Sequence, residues 1–321
     1  MAASLADLAE DWLTEKQTLG RGLSANSESA YRNDLALVAA RIASPVGDAP
    51  PLARLQPEDL TPQRVRAGFA DLARDGAAVS SRTRAIGVWK AFCSWLADNG
   101  YLDADPTVGI SRPRRPDTLP VAFTDEQLAA ILAAASQPDP DARAPWPARD
   151  RALVITLAGT GVRASELCGL TIGDLTTGQD PLLRVHGKGG KTRVVPLSPA
   201  VAATLAEYLQ DRSERFPSQT KPDADDPLFV SYAGTALTRG ALKQYVYRWL
   251  LRAGVPRPEG EAVHAFRHTF ATGLIHNGAD LASVRQLLGH ASIASTQIYL
   301  RMTGVDLASA VRAAPITALS R

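Results

Sequence analysis

The stretch DADPTVGISRPRRPDTLP, residues 103–120, does most to limit what this chain can fold into. Each of its four prolines lacks a backbone N–H and fixes φ, and no hydrophobic period runs through it. A continuous helix or a central strand is therefore excluded there. With 321 residues in all, the chain is long for one core and comfortable for two. The break predicts a domain over 1–110, a linker over 111–120 made basic by Arg112, Arg114 and Arg115, and a second domain over 121–321.

Before the break, apolar residues recur at helical spacing, as in Tyr31, Leu35, Val38 and Ile42. Thr61 and Pro62 read as the cap and first residue of a helix whose inner face holds Val65, Phe69 and Leu72. Ser80 or Ser81 is expected to cap the next helix, which begins basic with Arg82, Arg84 and Lys90 and ends at Asn99-Gly100. Beyond the break, Thr124 to Gln127 has the pattern of a capping box. The run ALVITLAGTG ends in Gly159 and Gly161, which are expected to form a tight joint before Arg163 and a fresh helix, VRASELCGL. PLLRVHGKGGKTRVVPL is the clear β signal, two strands around a glycine-rich turn. The predicted class is mainly α in two domains, with a small antiparallel hairpin or sheet in the second.

No apolar run approaches the roughly 20 residues of a membrane span, and the start MAASLADLAEDW is acidic where a signal peptide is basic. A cytoplasmic protein is expected. Cys93 and Cys168 stand far apart with no CxxC pair, the pattern of two reduced thiols. The net charge of +2 does not identify a nucleic-acid partner. Local charge does more: residues 184–193 hold four basic residues and no acid, and 239–257 hold five and no acid. Such stripes suit an anionic backbone.

Arg163, Lys188, His264, Arg267, His290 and Tyr299 each have an ordinary explanation alone. Together they make a set able to transfer a phosphoryl group without a metal or cofactor. Two arginines can hold the non-bridging oxygens of a phosphodiester. A tyrosine can attack the phosphorus and form a covalent intermediate, but its phenol, with an ordinary pKa of about 10, must lose its proton. A histidine can accept that proton, and a lysine on a hairpin can donate one to the departing oxygen. Lys188 and Lys191 share that turn, and the residues alone leave both open.

Other readings fit less well. GKGGKT lacks the earlier glycine of a phosphate loop, since position 185 is Val185, and it lies between strands. His264 and His268 have the spacing of a helical zinc pair, but Ala265 stands where a metalloprotease has its glutamate. A catalytically silent DNA-binding or architectural protein would use the basic helices equally well, yet leaves the complete set unexplained.

The four stretches GTGVRASELCGL, VHGKGGKTRVVPL, HAFRHTFAT and LLGHASIASTQIY resemble, in order, the arginine, lysine-hairpin, His-x-x-Arg and His-then-Tyr boxes of the tyrosine site-specific recombinases, the phage integrase family. The resemblance covers about 120–305 strongly, and the helical first domain with its PRRP linker is similar to that family's core-binding (SAM-like) domain. It implies Tyr299 as nucleophile, Arg163 and Arg267 as phosphate clamp, Lys188 in preference to Lys191 as general acid, His264 in proton transfer and His290 on the scissile phosphate. Glu166 would support the first arginine.

The resemblance also implies a C-shaped clamp on double-stranded DNA carrying an inverted-repeat core site. Arg82, Arg84 and Lys90 would approach from one domain and Lys191, Arg193, Arg239, Lys243 and Arg248 from the other. It implies a homotetramer, or a heterotetramer with a second recombinase, on two DNA sites, passing through a Holliday junction. The segment after Tyr299 would exchange between subunits. The start at residue 1 is expected to lead straight into the core-binding helices, leaving no room for an arm-binding domain, which favours a Xer-like resolver of chromosome dimers over a mobile-element or prophage integrase. The tail LASAVRAAPITAL departs from the basic, histidine-containing ends of many Xer-type members, so a septal DNA translocase stays an open partner.

Overall fold

A computed structural model of the chain describes residues 3–19, 22–43, 48–113, 121–187, 190–217, 223–258 and 260–289. The chain divides into two compact units, Met1–Asp117 and Thr118–Arg321.

The first unit holds α1 (Leu5–Thr18), α2 (Ala25–Ile42), α3 (Pro62–Arg74) and α4 (Val79–Asp98). Leu8, Trp12, Leu35, Val38, Val65, Trp89 and Phe92 fill its core. Thr61 caps α3, its hydroxyl accepting the Arg64 N–H. The cap expected at Ser80 or Ser81 lies elsewhere: α4 starts at Val79 behind Ala78, and both serines sit in its first turn. The reason is the shortness of the link, because α3 ends through the left-handed Gly76 only two residues before Ala78 closes the connection. One buried acid joins the helices. Asp34 of α2 accepts Nε and Nη2 of Arg84 at 2.6 and 2.9 Å, while its carbonyl accepts the Trp89 indole N–H.

The second unit holds α5 (Asp125–Ala135), α6 (Pro147–Thr160), α7 (Ala164–Cys168), β1 (Leu175–Thr176), β2 (Leu182–His186), β3 (Thr192–Pro196), α8 (Pro199–Arg215), α9 (Arg239–Arg252), α10 (Ala262–His276) and α11 (Leu281–Leu288). The sheet is antiparallel in the order β1-β2-β3, with Leu183 opposite Val195 and His186 opposite Thr192. Alternation along β2 sends Leu183 and Val185 into the core and leaves Arg184 and His186 exposed. Strand β1 was not expected, since two residues are too few to display an alternation. Thr124 and Gln127 form the expected reciprocal capping box.

The two glycines after α6 have different roles. Gly161 adopts φ 60° and ends the helix as a left-handed cap. Gly159, expected in the same joint, lies inside α6 and serves packing: a Cβ there would sit 2.6 Å from Val201 Cγ2 on α8. Helices α10 and α11 bury a small separate cluster of Ala271, Ile275, Val284 and Leu288.

Candidate functional site

The site is built around the turn that Gly161 permits. Arg163 is the N-cap of α7, in extended conformation, so its side chain and its backbone N–H both reach the carboxylate one turn ahead. The N–H donates to Glu166 Oε2 at 2.8 Å and Nη1 donates to Oε1 at 2.8 Å. Arg193 of β3 approaches the same carboxylate with Nη1 on Oε1 at 2.9 Å and Nη2 on Oε2 at 2.8 Å. Four hydrogen bonds thus converge on a buried acid. Burial pushes its carboxyl up, but the Arg193 fork and the Arg163 N–H prevail and hold it down at about 2.

Arg267 of α10 is buried. Its Nη1 donates to the carbonyl of Gly161 at 2.7 Å and its Nη2 to the carbonyl of Leu288 at 2.5 Å. Gly161 therefore serves twice, turning the chain toward Arg163 and offering its carbonyl to Arg267. A Cβ at that position would lie 2.4 Å from Phe270 Cδ1 on α10, which accounts for the close approach of the two helices.

Helix α11 ends with Leu288 and a left-handed Gly289. The last carbonyls of a helix lack partners inside it and carry its negative end. Here the Leu287 carbonyl accepts from Nε of Arg193 at 2.7 Å and the Leu288 carbonyl accepts from Arg267. Two guanidinium groups from distant parts of the chain close one helix end.

His264 and His268 lie one turn apart on α10, their rings edge to face with centroids 5.5 Å apart. Burial and then the neighbouring Arg267 cation push the His264 imidazole below its ordinary range. Burial, with His264 and Arg267 adding to it, takes His268 down to about 4. His264 keeps an exposed edge and is neutral at pH 7, a state able to accept a proton.

The hairpin neck passes beside Glu166: a Cβ on Gly187 would lie 3.9 Å from Glu166 Oε1. The Gly187 N–H donates to the Lys191 carbonyl at 2.7 Å, closing the turn, and Lys191 is exposed. At the end of β2, His186 Nε2 lies 2.8 Å from Asp174 Oδ1, which ties the hairpin to the segment after α7. Lys188, His290 and Tyr299 lie outside the described residues. Among the described residues no three His, Cys, Asp or Glu side chains group as a metal site.

The structure thus brings together Arg163, Glu166, His264 and Arg267 of the expected set. The expected DNA-facing cations differ in exposure and in their ion pairs. Thr238 caps α9 through the Ala241 N–H, and Arg239 and Lys243 on that helix are exposed, as is Lys191. Arg82 and Lys90 are half-buried on α4. Three of the expected cations form ion pairs: Arg84 with Asp34, Arg193 with Glu166, and Arg248 with Asp139 at 2.8 Å. The sequence reading missed the part Arg193 plays in this site, for which only its place on the strand after the lysine turn was a signal.

The chain is similar to known proteins over most of its length. Residues 122–304 match the phage integrase family. The chain is 33% identical over 305 residues to the tyrosine recombinase XerC of Brucella suis biovar 1 (strain 1330), covering 95% of this chain and 91% of that one. It is 32% identical over 287 residues to the tyrosine recombinase XerD of Lacticaseibacillus casei, covering 89% and 91%. The fold is similar to that of the XerH site-specific recombinase bound to a palindromic difH substrate in a post-cleavage complex, at TM-score 0.69 and 24% identity, covering 97% and 85% of the two chains. It is also similar to a lambda integrase tetramer bound to a Holliday junction, at TM-score 0.68 and 17% identity, covering 93% and 77%.

Proposed function

The chain belongs to the phage integrase family and is a tyrosine recombinase, an enzyme that cuts and rejoins DNA; on that premise we propose that it performs site-specific recombination through a covalent 3′-phosphotyrosine at Tyr299. The Tyr299 phenolic oxygen attacks the scissile phosphorus, the bond to the 5′ oxygen breaks, and the phenolic proton passes to neutral His264. Lys188 supplies the proton that the 5′ oxygen needs to leave. Arg163 and Arg267 hold the non-bridging oxygens as charge builds on them, and His290 adds a hydrogen bond. The phosphotyrosine keeps the bond energy, so a 5′ hydroxyl from a partner strand reverses the step without ATP.

The observation that carries this reading is the position of Arg267. Its guanidinium bonds to the carbonyl two residues before Arg163 and to the carbonyl two residues before His290. One buried side chain thereby draws three of the four boxes to one place, which a silent DNA-binding protein has no need to do.

The partner is double-stranded DNA with an inverted-repeat core site. Arg82, Lys90, Lys191, Arg239 and Lys243 contact its phosphates, and four protomers act on two sites through a Holliday junction. Similarity to XerC and XerD relatives over most of both chains supports chromosome-dimer resolution in preference to mobile-element integration.

The test uses a nicked duplex selected by the protein from a randomised pool. The wild-type chain forms a covalent protein–DNA adduct in EDTA, and Tyr299→Phe forms none. An adduct that requires magnesium, or one that survives Tyr299→Phe, would overturn the mechanism.

A further inference from the structure

The basic stripe over 184–193 predicts that Arg193 faces an anionic backbone, but its guanidinium is committed inside the fold. Nε donates to the Leu287 carbonyl, and the two terminal nitrogens lie in parallel on the two oxygens of Glu166. The side chain keeps only 10% exposure. A planar fork with a third donor fits this arrangement, and the single ammonium of a lysine does not.

Arg193 stands where three segments meet. Through Glu166 it reaches Arg163, which shares the carboxylate. Through Leu287 it fixes the last turn of α11, and a Cβ on Gly289 would lie 3.2 Å from Arg193 Cδ and Nη1, so Gly289 packs against the Arg193 stem. Its own strand begins just after the lysine turn.

We propose that Arg193 is a positioning residue for DNA cleavage, holding Arg163 through Glu166 and fixing the end of α11 from which His290 follows, and that it does not contact DNA. This rests on the recombinase reading above. Arg193 exchanges no proton and touches no reacting atom, so its effect is confined to geometry. Without it, the carboxylate that holds Arg163 is itself held only by Arg163, and the Leu287 carbonyl at the end of α11 loses its donor. Displacement of a reacting group by about 1 Å costs on the order of 100-fold in rate. A lost phosphate contact acts differently, weakening binding and lowering the salt slope of affinity by about 0.9.

The experiment compares wild type, Arg193→Lys, Arg193→Met, Glu166→Gln and the double variant Glu166→Gln/Arg193→Met. The double variant removes the buried carboxylate together with its partner, so an uncompensated charge does not unfold it. The probe is the same pool-selected nicked duplex. Its affinity is measured as a function of salt, and adduct formation is measured in a single turnover at saturating DNA. The expected result is affinity within about twofold of wild type, with an unchanged salt slope. At saturation the rate falls about 100-fold in the Arg193 variants, and the double variant is no slower than the slower single one, as for residues acting as a unit. A wild-type rate at saturation, or weaker binding with a reduced salt slope as the whole effect, overturns the proposal and makes Arg193 a DNA contact. Failure of wild type itself to form the adduct would overturn the recombinase reading, an outcome separate from these.

Discussion

Replacing Glu166 by glutamine tests the centre of the site as a piece of folding energetics. The carboxyl falls from its ordinary 4.5 to about 2 in the folded chain. At about 1.4 kcal/mol per tenfold change in proton affinity, that corresponds to about 3 kcal/mol of stability at pH 7. Because folding lowers this pKa, the contribution is complete above about 4.5 and is lost as pH falls through about 2. Glutamine keeps the shape but turns one acceptor into a donor facing the guanidinium groups of Arg163 and Arg193. Removing one partner of a buried ion pair costs about 3–5 kcal/mol, which agrees in size. Urea unfolding of wild type and Glu166→Gln at pH 7 and pH 3 measures both numbers. The expected gap is about 3 kcal/mol at pH 7, shrinking to less than about half of that at pH 3. A gap below about 1 kcal/mol at pH 7, the worth of an exposed pair, or one of equal size at both pH values, would refute the assigned ionisation.

Gly161→Ala forces a side chain into the left-handed region and toward Phe270; a loss of about 3 kcal/mol is expected, and an unchanged melting temperature would count against it. The cleavage rate of wild type is expected to fall on the acid side with a midpoint below 6.5, because burial and Arg267 disfavour the His264 imidazolium. His264→Gln removes that limb and lowers the plateau about 100-fold; a limb that persists at the same midpoint assigns it to another group. Arg239→Ala and Lys243→Ala are each expected to lower the salt slope of DNA affinity by about 0.9 while leaving the saturated cleavage rate as in wild type. An unchanged slope removes α9 from the interface.

What the sequence displayed was chemistry and local structure. Arg163, His264 and Arg267 stand in stretches that resemble the boxes of the tyrosine recombinases, and Thr61 and Thr124 mark helix starts through hydrogen bonds spanning three residues. What it concealed depends on partners far along the chain. Gly159 looks like a turn glycine until Val201 of α8 is known to lie against it. Arg193 looks like a surface cation because Glu166 stands 27 positions away, and the pairing of exposed Arg84 with buried Asp34 is hidden by a separation of 50 positions. The closure of α11 by Arg193 and Arg267 is invisible for the same reason: a helix end in need of partners carries no sign of which guanidinium will reach it. Charge in a sequence stripe indicates supply, and burial in the fold decides where it goes.

The most direct test of the account is the identity of the residue that carries the DNA. Wild-type protein trapped on the nicked duplex is digested with nuclease and protease, and the peptides are sequenced by mass spectrometry. A nucleotide joined by a 3′-phosphodiester to Tyr299, and absent from the Tyr299→Phe digest, is the predicted result. Attachment to any other side chain, or strand cleavage with no covalent peptide–nucleotide species, would contradict it.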